Sequence, residues 1–71
     1  MIRYRIQYSD GHGWILRHPD FTLPMLADRD KQKLIDSLPD FFAKRKETAT
    51  VFVKDEYGRD EEEKNYPYVK Q

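Results

Sequence analysis

The chain predicts an α+β domain of ββ-α-ββ order: a single antiparallel sheet made of two hairpins, with one kinked or split helix packed on one face. Three observations carry this. Residues 2–8 alternate apolar and polar side chains, the period of a half-buried strand. Leu34, Ile35, Leu38, Phe41 and Phe42 then recur at helical spacing, which lines one face of a helix. Residues 48–54 return to alternation ahead of a turn containing Gly58.

In the first strand Ile2, Tyr4, Ile6 and Tyr8 share one face, and Arg3, Arg5 and Gln7 share the other. Ser9-Asp-Gly-His-Gly13 reads as a turn, because Asp-Gly tolerates positive φ. Residues 14–18 form the returning strand, which Pro19 ends. Residues 20–24 read as a connector. Asp28 and Asp30 suit a helix N-terminus, and Lys44, Arg45 and Lys46 suit its C-terminus. Pro39 falls inside this helix, at a cost of roughly 3 kcal/mol or more. Ser37-Leu-Pro-Asp40 resembles a capping box, so either a kink near Leu38 or two short helices is expected. In the third strand Val51 and Val53 face the core, opposite Thr50, Phe52 and Lys54. Residues 60–69 are the fourth strand. Its charge and its Pro67 are devices that protect an edge from unwanted pairing. Trp14, Leu34, Ile35, Leu38 and Phe42 are expected to dominate the core.

Composition sets bounds on function. A chain of 71 residues makes one domain, spanning 1–71, with a thin core. Its ten aromatic side chains can each bury a large area. The chain has no cysteine, which excludes a disulfide scaffold and a thiolate metal site. No apolar leader or bilayer-length run is present, so a cytoplasmic protein with no membrane association is expected. The formal charge is zero but segregated. Residues 41–54 carry four basic side chains against Glu47, and residues 55–64 carry six acids against Arg59 and Lys64. This balance is far from that of a dedicated nucleic-acid binder.

A Gly13-Trp14 strand, a central helix, and a Val-x-Val strand followed by Gly58-Arg59 and Tyr66 resemble a small prokaryotic and phage family. That family is catalogued as a domain of unknown function, with a GW second strand and a DGR turn with a closing Tyr. The chain departs from the pattern at Tyr57, where Asp is usual, and at Pro39, within a helix that is usually Ala-rich and continuous. The resemblance implies a compact α+β domain with no assigned catalysis. It also implies a phage or mobile-element setting, where small proteins modulate or inhibit a host defence system.

No catalytic set is legible. Ser9 and Ser37 are the only serines, and neither comes with an orienting group or an oxyanion hole. His12 and His18 with Asp10 would be the minimal metal candidates. They read more simply as turn and surface histidines, so no metal or cofactor is expected. Two surfaces remain. The basic one is the sheet face opposite the helix, carrying Arg3, Arg5, Arg17, Phe52 and Lys54 beside Gln7 and Ile15. It reads as a solvated face, as a protein interface rich in Arg and aromatics, or as a platform for single-stranded nucleic acid. The acidic one comprises Asp55, Glu56, Asp60, Glu61, Glu62 and Glu63. Their spacing fits no calcium loop; they read as a solvated edge or as a dock for a basic partner. The expectation is therefore a non-enzymatic binding protein acting through protein–protein contact. A nucleic-acid module is the alternative, and homodimerisation is compatible with either.

Overall fold

The computed structural model describes residues 2–69. The order is β1 (Ile2–Ser9), β2 (Gly13–Arg17), β3 (Leu26–Asp28), α1 (Lys31–Arg45), β4 (Ala49–Lys54) and β5 (Asp60–Tyr66). The strands form one sheet in the order β3-β2-β1-β4-β5. The α+β class, the single sheet and the single helical layer thus follow the sequence expectation.

The all-antiparallel arrangement does not. β1 and β4 pair in parallel, with Tyr4 opposite Val51 and Ile6 opposite Val53, while the other neighbours pair antiparallel. The cause is β3, a three-residue strand inside what the sequence presents as a connector and helix entry. It pairs Trp14 with Asp28 and Leu16 with Leu26. Each added strand reverses the direction of the chain. With β3 present, the helix crosses back over the sheet and delivers β4 in the direction of β1, as a parallel neighbour requires. Gly13 makes this pairing possible. Its φ is +81°, and a Cβ there would sit 2.9 Å from Arg29 Cα and Asp28 O, closer than real contacts allow.

The helix is one element, Lys31–Arg45, with Pro39 inside it, so the split form is overturned. Its N-cap is Asp30, whose Oδ1 accepts from the Gln32 and Lys33 N–H groups at 3.0 and 3.3 Å. Ser37 caps nothing; its hydroxyl donates to the Leu34 carbonyl at 2.7 Å. The helix ends in a Schellman motif. Lys46 takes the left-handed conformation at φ 55°, and the N–H groups of Lys46 and Glu47 bond to the Ala43 and Phe42 carbonyls. Leu34, Ile35, Leu38 and Phe42 are buried on both sides of the proline. Each such side chain contributes about 1.5–3 kcal/mol, enough together to offset the missing backbone bond.

The core joins these four residues to Tyr4, Ile6, Leu16, Ala49, Val51 and Val53. A run of rings extends it. Phe21 stacks on His18 at 4.3 Å, His18 meets Tyr4 edge-on at 5.2 Å, Tyr4 packs on Phe42 at 4.9 Å, and Phe42 reaches Tyr66 at 5.3 Å. Trp14 is half-buried and packs against the cluster from its margin. Tyr4, wholly buried, takes the central place expected of Trp14. His18 is buried too, contrary to its reading as a surface histidine. Its Nδ1 accepts from the Asp20 N–H at 3.0 Å, which lets the ring close the core beside Pro19.

Candidate functional site

Strand register assembles the basic surface row by row. Arg17 lies opposite Arg5, Arg5 opposite Phe52, and Phe52 opposite Glu63. The next row sets Arg3 beside Thr50 and Thr50 beside Asn65. Thr50 Oγ1 donates to Asn65 Oδ1 at 3.1 Å. On the other side Gln7, Ile15 and Ala27 line up. The helix packs on the face of Tyr4, Leu16 and Val51, so among the described residues this opposite face carries no second layer. A shallow concavity of about 520 Å³ lies on it, lined by Arg3, Arg5, Pro19, Phe52, Lys54 and Asp60.

Four of the five basic-face residues named from sequence therefore line one concavity, and Arg17 sits directly across from Arg5. Pro19 joins them because it follows β2, a position that sequence alone shows only as a strand terminator. Ile15 departs from expectation. It is 2% exposed and stands apart from the main core cluster. Gln7 and Ala27 flank it, and long polar side chains on such a face cover apolar neighbours with their stems. It adds nothing to a contact surface.

The charges are unevenly satisfied. Lys54 Nζ is 2.8 Å from Asp60 Oδ1. Arg3, Arg5 and Arg17 form no ion pair among the described residues. Like charges directly across a strand pair destabilise it, so the Arg5–Arg17 juxtaposition carries a local cost.

The acidic set is dispersed. Asp55 organises the β4–β5 turn: its Oδ1 accepts from the Tyr57 and Arg59 N–H groups, both at 2.9 Å. The Arg59 amide is the main reason its carboxyl is held below the usual range. The register shifts between Val53 and Lys54, leaving Glu61 as an extra residue in a bulge that meets Lys31 at 2.8 Å. Glu62 lies 3.6 Å from Lys64, and Asp60 holds Lys54. Only Glu56 and Glu63 of the six make no ion pair or side-chain hydrogen bond among the described residues. Three of the six acids are thus paired with a lysine, and the set is spread along a border and its turn.

Other polar groups serve the fold. Tyr4 Oη donates to Glu47 Oε1 at 2.5 Å, and Arg45 Nε donates to Glu47 Oε2 at 2.9 Å, tying the helix end to β1. Burial, then the carboxylate, push the Tyr4 hydroxyl up to about 12, so it is a fixed donor. Among the described residues no three His, Asp or Glu side chains converge as a metal set would, and no helix is long and apolar enough to cross a membrane.

A second concavity, which the sequence did not reveal, opens at the end of the sheet between Tyr8, Trp14, Glu56 and Tyr57. Tyr8 shares parity with Tyr4 and Ile6, yet it is 50% exposed. No family model, curated protein or solved structure matches the chain.

Proposed function

We propose that the protein is a small non-enzymatic binding module whose contact surface is the open face of the sheet, and that its partner is a protein presenting carboxylates beside an apolar side chain. One observation carries this reading: among the described residues Arg5 and Arg17 oppose each other without acidic partners, next to half-buried Phe52 and exposed Pro19. Arginine and aromatic groups together are what protein interfaces favour. A partner carboxylate would relieve the arginine repulsion that the isolated domain bears.

The border argues against a polyphosphate chain. Glu63 sits across from Phe52, and Asp60 occupies Lys54, so acids line one side of any track across the face. The nucleic-acid reading keeps one supporting fact, the convergence of Arg3, Arg5 and Phe52 on one concavity. A role as a phage or mobile-element inhibitor of host defence is a narrower form of the same proposal, and rests on the sequence resemblance.

The test maps amide chemical shifts during titration with an acidic peptide carrying one leucine, and separately with a single-stranded oligonucleotide. The proposal expects the peptide to move Arg5, Arg17 and Phe52, with the effect lost in Arg5→Glu. Tighter oligonucleotide binding with a steep salt dependence would transfer the surface to nucleic acid. No response to either would remove the surface altogether.

A further inference from the structure

We propose that the concavity beside the β4–β5 turn is a site for a trimethylammonium group, walled by Tyr8, Trp14 and Tyr57 with Glu56 as its counter-charge. It lies away from the open face of the sheet, so it stands or falls separately from the reading above.

Four residues line a space of about 360 Å³, and three of them are aromatic. Tyr8 and Trp14 face each other across the β1–β2 pair. Their ring centroids are 5.6 Å apart and their planes meet at 71°, giving two walls near a right angle. Tyr57 supplies the third side from the tip of the β4–β5 turn. Folding does not account for that ring. Asp55 fixes the turn through the Tyr57 and Arg59 amides, which any residue could provide, and Tyr57 is 79% exposed. A large aromatic is thus held by its backbone at the mouth of an aromatic corner while most of its own surface stays exposed.

The chemistry selects the ligand. Aromatic faces attract cations through their quadrupole, and a cage of them is the usual receptor for quaternary ammonium. A methylated ammonium has few or no N–H donors to satisfy, so it tolerates apolar walls. Glu56 balances its charge. A primary ammonium is served differently in this same molecule. Lys31 Nζ sits 4.6 Å from the Trp14 ring centroid, but it also holds Glu61 at 2.8 Å, and it does not line the cavity. The Trp14 ring thus already holds one cation, from outside the cavity, while the cavity lining itself contributes one carboxylate, no basic group and three rings. A neutral apolar ligand would leave Glu56 without a role.

Trp14 is the only tryptophan, so its fluorescence reports on the site. Choline and free Nε-trimethyl-lysine are titrated at constant ionic strength, against the neutral isostere 3,3-dimethylbutan-1-ol and against unmethylated lysine. The expected result is a saturable change with the two trimethylammonium compounds and binding weaker by roughly 3–30-fold for the two controls. Tyr57→Ala and Glu56→Gln should each weaken trimethylammonium binding by a similar factor while leaving the thermal transition in place. Tighter binding of choline or of trimethyl-lysine names the source of the group; equal binding assigns the site to the group itself. An equal response to the neutral isostere, an unchanged affinity in Tyr57→Ala, or no saturable response in wild type would each overturn the proposal.

Discussion

Tyr4 shows how one buried hydroxyl sets a pH limit. Its hydroxyl is pushed up to about 12 by burial and by Glu47, against an ordinary value near 10 in the unfolded chain. A group raised in the folded state contributes fully below its unfolded value and loses that contribution as pH rises through its folded value. The contribution is therefore complete below about pH 10 and lost by about pH 12, worth about 2–3 kcal/mol over that window. Urea unfolding at stepped alkaline pH should show wild type losing this much more than Tyr4→Phe. Parallel profiles for the two proteins would show the hydroxyl to be uncoupled from folding. Lys46 is a simpler case. A non-glycine residue in the left-handed region at the helix end is strained, so Lys46→Gly should stabilise by about 0.5–1 kcal/mol, read as a higher Tm.

The helix and the short strand show where sequence logic held and where it stopped. The apolar stripe through Pro39 was legible because Leu34, Ile35, Leu38 and Phe42 keep one phase, and all four are buried. The consequence of the proline was not legible, because packing on both sides outweighs a local cost that propensity alone would charge in full. Ser37 illustrates the same conflict. Its spacing to Asp40 fits a capping box, yet the helix is capped by Asp30 and Ser37 bonds back to Leu34. Thermal unfolding separates the two roles: Asp30→Ala should cost about 1 kcal/mol, as cap removal does, while Ser37→Ala should stay within about 0.5 kcal/mol. A larger loss for Ser37 would restore it as a cap. β3 escaped notice for another reason. Three residues after Pro24 give too short a window for alternation to register, and Asp28 reads equally well as a helix-entry acid. That omission alone changed the polarity of β4 relative to β1. On the basic surface, alternation set Arg3, Arg5, Phe52 and Lys54 on one face, and they line one concavity. It could not foresee the Glu61 bulge, or that Tyr57 would stand opposite Tyr8 and Trp14, since both depend on contacts distant in sequence.

Taken together, the fold is asymmetric in how it spends its side chains. One face of the sheet holds the apolar core and the ring-to-ring run from Phe21 to Tyr66; the other keeps three arginines that form no ion pair among the described residues, in a domain that can spare little stability. Arg17 offers the clearest test of whether that imbalance is kept for binding. It faces Arg5 directly and lies outside the core. Arg17→Gln removes the like-charge opposition while keeping a long polar side chain at that position of β2. It should raise stability by about 0.2–1 kcal/mol, visible as a small increase in Tm that shrinks in high salt. If the open face binds carboxylates, the same variant should bind the acidic peptide more weakly, so stability and affinity move in opposite directions. A variant that is less stable would show Arg17 to be serving the fold. One that is more stable with undiminished peptide binding would place the contact on Arg3, Arg5 and Phe52 alone.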